Sequence, residues 1–365
     1  MAHVSCFCGG VTQNVRPKIS TASNGIALSL CHCNTCRHTT GLLCTSYLPI
    51  QEPEISANLR IFRTSGKSAR YFCRICGCHI FRNEEYNRGE AEWGVATGVV
   101  SRTDDDVIGE VKFTDHKHVS DTKDGGIAKW ISFEDKEWIS EEADRPEIDS
   151  AQSESLEAAC ACGTVRFHLT RPDAASLVPR RNYPDLTHAY CETAASILSN
   201  VSDEKWWVRG GKYLAGTCAC QSCRLASGFE IQTWTFVPRA NIFIQIPDRE
   251  TTTANIPLDF GSLPPGILQG YKSSPAVTRE FCGTCGATIF WHETEDTEVI
   301  DVSVGLLRGS DGACAGSWLK WWKDRVSFVE EVQSGRNGPF ATAAKSLIDT
   351  LSNGMKGELV NQYTT

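Results

Sequence analysis

Two short stretches carry the residue types able to do chemistry. One is Cys31-His32-Cys33-Asn34-Thr35-Cys36-Arg37, closed by Gly41; the other is Cys218-Ala219-Cys220-Gln221-Ser222-Cys223-Arg224, closed by Gly228. Both read C-x-C-x-x-C-R-x-x-x-G. Three cysteines so close together meet one ion only if the backbone turns tightly. Three thiolates fill three corners of a zinc tetrahedron and leave the fourth for water or substrate, the plan of a catalytic site. The alternative, a fourth ligand from elsewhere that closes each site, stays open at this level.

Stepping outward along the chain, further cysteines flank each triple. Cys6-Phe7-Cys8-Gly9-Gly10-Val11 precedes the first and Cys160-Ala161-Cys162-Gly163-Thr164-Val165 the second. Arg70-Tyr71-Phe72-Cys73-Arg74-Ile75-Cys76-Gly77 follows the first and Arg279-Glu280-Phe281-Cys282-Gly283-Thr284-Cys285-Gly286 the second. Three ordered motifs occurring twice mark an internal duplication. Each outer pair of knuckles makes a four-thiolate set, Cys6, Cys8, Cys73, Cys76 and Cys160, Cys162, Cys282, Cys285. The glycines behind them allow turns that aim N–H groups at sulfur, the usual build of a closed structural zinc. A swap between inner and outer cysteines is the main competitor. Up to four zinc ions per chain are expected. Cys44, Cys78, Cys191 and Cys314 share no spacing between the halves and are read as small buried apolar residues.

The chain has 365 residues, 18 of them cysteine, and a net charge of −8. Tight C-x-C and C-x-x-C pairs suit metal better than disulfides. The amino end shows no signal-peptide pattern and no apolar run is long enough to span a bilayer, so a cytoplasmic address and no membrane partner are expected. Residues 134–157 hold ten Asp/Glu and two Lys/Arg, so the rest of the chain sums to zero. No half carries the basic excess that a phosphate backbone demands, and nucleic acid is not an expected partner.

Strand signals dominate. Trp93, Val95, Thr97 and Val99 alternate in one half, and Ile300, Val302, Val304 and Leu306 in the other, predicting strands over both runs. Phe340, Ala344, Leu347, Ile348 and Leu351 fall on one helical face after Pro339, with Gly354 expected as the stop. The reading is a mainly β chain of two units, each with its own core: residues 1–133, an acidic linker at 134–155 that Trp138 pins in part to the first unit, residues 156–330 and a helical segment at 331–365. The second unit departs by insertion. Between the first two motifs there are 22 residues in one copy and 55 in the other; between the last two, 36 and 58. The extra segments hold Tyr183, His188, Tyr190, Trp206 and Trp207, and later Asp248 to Pro265. Lid and packing surface are both open readings for them.

In this order the motifs C-x-C-G-x-V, C-x-C-x-x-C-R and F-C-x-x-C-G-x-x-I-F resemble the glutathione-dependent formaldehyde-activating enzymes and the centromere-protein-V-like group that shares their domain. The chain looks like the two-domain fungal type of that family. The resemblance implies two tandem β-tent zinc-binding domains, each with a structural four-cysteine zinc and a second zinc held by three cysteines. It also implies carbon–sulfur lyase activity, joining formaldehyde to the glutathione thiol. The copies differ: Ala219 and Leu225 stand where the first has His32 and His38. The first copy ends with His116-Lys117-His118 and Trp130, the second with Trp318, Trp321 and Trp322.

A zinc ion on three thiolates is a weaker Lewis acid than one on three histidines, and suits capture of a soft ligand such as a substrate thiol. Deprotonated there, the thiol becomes the nucleophile that attacks a small carbonyl. Arg37 and Arg224 are placed to offset the site's charge or grip a substrate carboxylate, or else to form a surface ion pair or bond a cysteine loop. His32 and His38 are the candidates for proton transfer. Patterns of nucleobase deaminases, H-E-x-x-H metalloproteases and P-loop enzymes are missing. Two function classes result: a zinc enzyme acting on a small-molecule thiol, glutathione among them, with a small electrophile, and a zinc-stabilised binding module with all metals structural.

Overall fold

The computed structural model describes residues 1–18, 25–85, 91–103, 108–133, 154–247 and 253–363. Most of the acidic linker, Trp138 included, lies outside the described residues. The chain is mainly β with a helix at its C-terminal end, in two tandem units of the β-tent kind. In the first half, Tyr47–Ile50, Ala91–Ala96, His79–Glu85, Ser68–Cys73 and Leu59–Ser65 form an antiparallel sheet in that order. The second half repeats the order with Gln232–Pro238, Val299–Ser303, Thr288–Glu293, Val277–Phe281 and Gln269–Ser274, and extends it with Lys212–Cys218. A smaller sheet joins each: Thr12–Val15, Ala2–Ser5 and Val100–Thr103 in one, Ser155–Ala159, Arg166–Thr170, Ile242–Pro247 and Thr253–Pro257 in the other. The last of these strands comes from the second insertion, which therefore lengthens a sheet.

One parallel pairing in each half sets up the site. Glu110–Lys117 runs alongside Gly25–Cys31, and Leu319–Trp321 alongside Lys212–Cys218. The chain then turns through a left-handed residue, His118 at φ 57° or Phe328 at φ 53°. That turn carries the following loop across the N-terminus of the short helix that bears the inner cysteines.

The expected strands stop early. Ala91–Ala96 and Val299–Ser303 each give way to a tight 3₁₀ turn, Thr97–Val99 and Val304–Leu306. The reason is the opposite half. A Cβ on Gly98 would sit 2.5 Å from the Gly228 carbonyl carbon, and one on Gly305 2.2 Å from the Leu42 oxygen. Gly98 N–H donates to Gly228 O (3.0 Å) and Gly305 N–H to Gly41 O (3.1 Å). Phe7 N–H donates to Leu225 O and Ala161 N–H to His38 O, again reciprocal positions. The halves thus dock about a pseudo-twofold axis. Instead of the two cores expected, buried side chains from Val4 and Phe81 through Phe290 and Val302 form one continuous cluster.

The C-terminal helix, Gly338–Tyr363, buries Phe340, Ala344, Leu347, Ile348 and Leu351 as its spacing predicts. It does not stop at Gly354. A Cβ there would lie 2.0 Å from the Trp130 oxygen, so the glycine serves a close approach inside the helix. The helix packs on the first half, against Gly126–Trp130, Val100–Thr103 and Glu110–Lys117. Chain from beyond the second half therefore completes the first.

Candidate metal centres

The eight outer cysteines meet in two groups. Within each, all four sulfurs lie within 4.8 Å of one another. Cys6 and Cys8 are 3.5 Å apart, Cys8 and Cys73 3.5 Å, Cys160 and Cys162 3.4 Å, and Cys162 and Cys282 3.5 Å. A disulfide would need about 2.05 Å. A tetrahedron with metal–sulfur bonds of about 2.3 Å has edges of roughly 3.8 Å, close to these separations. Backbone donors are aimed as the glycine-backed knuckles predict: Val11 N–H to Cys6 Sγ (3.3 Å), Gly10 N–H to Cys8 Sγ (3.3 Å) and Val165 N–H to Cys160 Sγ (3.4 Å). Gly77 and Gly286 take φ 78° and 80°, and a Cβ on either would strike Phe281 or Phe72 of the opposite half. The knuckles are thus part of the docking surface.

The inner triples form the other two groups. Cys31, Cys33 and Cys36 come together, as do Cys218, Cys220 and Cys223, each set within 4.8 Å; among the described residues no fourth His, Cys or carboxylate atom completes either set. The local cause is a helix of about two turns. Cys33 caps Asn34–Thr40 by accepting Cys36 N–H (3.3 Å), and Cys220 caps Gln221–Ser227 by accepting Cys223 N–H (3.2 Å). Gly41 and Gly228 end the helices at φ 84° and 85°. A carboxylate receives the first helical N–H in both, Asp121 from Asn34 (3.0 Å) and Glu331 from Gln221 (3.1 Å). Soft sulfur donors spaced for a tetrahedron fit zinc in all four groups.

Each inner set is backed by an arginine that sequence reasoning did not single out. Arg70 Nη2 lies 3.8 Å from Cys36 Sγ and 3.3 Å from Glu84. Both terminal nitrogens of Arg279 lie 3.6 Å from Cys223 Sγ, and one reaches Ser222 Oγ at 3.1 Å. Cys36 is held well below the ordinary thiol value by Cys31 and Cys33, with Arg70 adding to this. Cys218, Cys220 and then Arg279 do the same for Cys223. The signal was present: both arginines open the shared string R-x-F-C, read above only as evidence of duplication.

Arg37 and Arg224 sit elsewhere. Arg37 is buried and donates to Asn34 Oδ1 (2.6 Å) and Asp121 O (3.4 Å). Arg224 donates to Gly98 O and to Ser334 O (2.7 Å), clamping the two halves together. The bond to a cysteine loop, the quieter of the two expectations, describes Arg37. Neither guanidinium lines the cavity described below.

His32 is fully buried, with Nε2 2.9 Å from His116 Nδ1, and His116 Nε2 is 2.8 Å from Ile131 O. A carbonyl only accepts, so His116 carries its hydrogen on Nε2 and His32 donates from Nε2. His32 Nδ1 is left as a buried lone pair without a partner. Burial first, then His116 and Arg37, lower His32 to about 3. His38 is lowered to about 3 by burial, Arg308 and Arg37, and its carbonyl belongs to the docking contacts above. His118 is exposed. Cys44, Cys78 and Cys314 are buried as expected, whereas Cys191 is exposed on the first insertion.

The second triple opens onto a cavity of about 490 Å³, reached by Cys218, Cys220 and Cys223. The first insertion walls it: Arg181, Asp185, Tyr190 and Trp206 face the space, while Tyr183 and Trp207 sit in a small core behind. At the first centre Cys31 and Cys33 are half-buried, and His32 and His116 occupy the flank where the second half has Ala219 and Val326.

Two segments, residues 1–114 and 207–324, match the family model for the glutathione-dependent formaldehyde-activating enzyme. Neither the curated proteins nor the solved structures gave a match. Among the described residues no helix is long and apolar enough to cross a membrane.

Proposed function

Because the chain belongs to the glutathione-dependent formaldehyde-activating enzyme family, we propose that it is a zinc-dependent enzyme of the carbon–sulfur lyase type. It joins a glutathione-like thiol to a small electrophile such as formaldehyde. The observation that carries the reading is the contrast in donor count: four sulfurs in each outer set, three in each inner set with no fourth protein donor among the described residues. Four zinc ions per chain follow, two structural and two able to take a ligand. When bound at an inner set, zinc supplies acidification and capture of the substrate thiol.

The chain's own residues do the rest. Arg70 and Arg279 hold negative charge on Cys36 and Cys223. We assign the formaldehyde-type reaction to the first centre. Its half-buried Cys31 and Cys33 leave access for a small polar substrate. His32 Nδ1 offers a buried acceptor to the hydrogen of the thiol or of the hydroxymethyl product. In the reaction a sulfur–carbon bond forms as the carbonyl π pair moves to oxygen. The proton released by the thiol ends on that oxygen, so no oxidant is needed.

The test uses the full chain loaded with cobalt. Glutathione should alter the thiolate–metal absorption, and formaldehyde should then be consumed. Cys33→Ser should keep the circular dichroism of the parent and lose that consumption, while Cys220→Ser should keep it. Cooperative unfolding of Cys33→Ser would make the inner set structural and favour a binding module. Loss of turnover in Cys220→Ser alone would move the reaction to the second centre.

A further inference from the structure

The second centre opens onto a pocket whose chemistry, among the described residues, differs from what glutathione demands. Its apolar part is aromatic. Trp234, Trp291 and Phe328 pack directly on the cysteine triple, and Trp206, Phe236 and Tyr190 also line the cavity. A space of about 490 Å³ with such walls accepts a ring or branched alkyl body, well beyond a one-carbon aldehyde.

The charged lining decides the sign of that body. Arg181 is spent on Glu293 (3.1 Å) and the Val299 carbonyl (2.7 Å). Arg279 is spent on Cys223 and Ser222. Asp185 has a side chain with no exposure and is satisfied by Arg325, Ser327 Oγ and Phe328 N–H. Two carboxylates are left on the wall, Asp301 and Glu331, and neither has a cation in ion-pair contact among the described residues. Burial raises Asp301 to about 7 against the pull of Arg181 and Arg279, whose guanidinium groups are engaged elsewhere. Arg279 meanwhile faces a sulfur set that carries about one negative charge with its metal in place. Among the described residues the cavity has no unengaged cation for the two carboxylates of glutathione, and it sets two carboxyl groups without an ion-pair partner among aromatic faces. Such faces attract ammonium groups as well as apolar ones.

We infer that the second centre takes a low-molecular-weight aminothiol, a thiol whose apolar or aromatic body carries a positive charge. The thiol part rests on the proposed function of the inner centres; the charged, apolar body rests on the cavity alone. Binding releases the thiol proton to solvent and involves no redox step. The ammonium group lies toward Asp301 and Glu331, and the ring among the tryptophans.

Three arylmethanethiols of one shape and different para groups test this: aminomethyl, methyl and carboxylate, with glutathione beside them. The full cobalt-loaded chain is titrated by calorimetry and by the thiolate–cobalt absorption. The aminomethyl compound should bind at least tenfold more tightly than the carboxylate. The Asp301→Asn/Glu331→Gln double variant should shrink that ratio below threefold while leaving the methyl compound unchanged. Glu331→Gln keeps an acceptor for Gln221 N–H, and Asp301→Asn alone serves if the pair does not fold. Equal or tighter binding of the carboxylate or of glutathione at this centre overturns the inference, as does a ratio indifferent to both variants. A charge order seen by calorimetry with a silent cobalt spectrum would keep the cavity assignment and remove the thiol–metal reading. No binding of any of the three overturns the inference outright.

Discussion

The two halves hold their cysteines in the same way and surround them differently. Both inner sets sit at the start of a seven-residue helix capped by a cysteine sulfur and ended by a left-handed glycine, with an arginine at the third sulfur. Both outer sets pin the first strand of a half to a distant hairpin. Beyond the sulfurs the likeness ends. His32 and His116 flank the first set; Ala219 and Val326 stand there in the second, where 55 residues between the first two motifs, against 22, build an aromatic wall. Ligand geometry tolerates little change, because a displaced sulfur loses the metal. The rim touches only what binds, so it is free to diverge. One scaffold thus offers an accessible centre with imidazoles and an enclosed one with tryptophans and carboxylates.

The largest effect should come from the sulfurs the halves share most closely. Cys76→Ser or Cys285→Ser removes one corner of a closed site, and a structural zinc contributes several kcal/mol of folding energy. With one core running through both halves, either variant should lower the melting temperature of the whole chain in a single transition and release about one zinc per chain at rest. Two separate transitions, with the untouched half melting like the parent, would show that the halves are energetically independent. A parent-like melt with full metal content would break the outer-site assignment.

The next effect tests the pseudo-twofold docking. A Cβ on Gly41 would stand 2.3 Å from the Thr288 oxygen, and one on Gly228 2.3 Å from the His79 oxygen, both at φ near +85°. An L residue there meets backbone strain and an opposing backbone that has no rotamer to change. Gly41→Ala and Gly228→Ala should each cost roughly 2–4 kcal/mol in denaturant unfolding, and cost alike. A silent variant on one side would mean that the halves meet asymmetrically.

Much of this arrangement was legible in the sequence because metal sites are local in composition even when distant in space. The spacing of Cys31, Cys33 and Cys36 already demanded a tight turn, and duplication identified their partners. The amphipathic stretch around Leu347 and Ile348 was equally plain. What escaped was set by the meeting of the halves. Val99 and Leu306 continue an alternation that the docking of Gly98 and Gly305 cuts short. Gly354 carries the mark of a helix stop, yet only the Trp130 backbone explains it. Arg224 adjoins a cysteine and holds the interface, while Arg279 lies 56 residues from Cys223 and reaches its sulfur. Proximity in sequence favoured the wrong arginine.

The smallest predicted effect concerns the axis itself, where the halves present different residues at one position. His79 stands where the second half has Thr288, and it is buried with both ring nitrogens unpartnered. Burial, then Arg70, lowers its pKa to about 4. The unfolded chain binds this proton near pH 6.5 and the folded chain only near 4, so between those values the unfolded state holds more protons. Stability from this group is therefore present above about 6.5 and falls as the pH drops toward 4. From pH 7 to pH 5 the loss should be about 2 kcal/mol, at 1.36 kcal/mol per unit. His79→Thr makes the position alike in both halves and removes that slope. Urea unfolding of parent and variant at the two pH values isolates the term, because every other titrating group cancels in the difference. A variant that loses as much stability as the parent over the same interval would show that His79 takes up its proton in the folded chain, through a partner supplied at the axis.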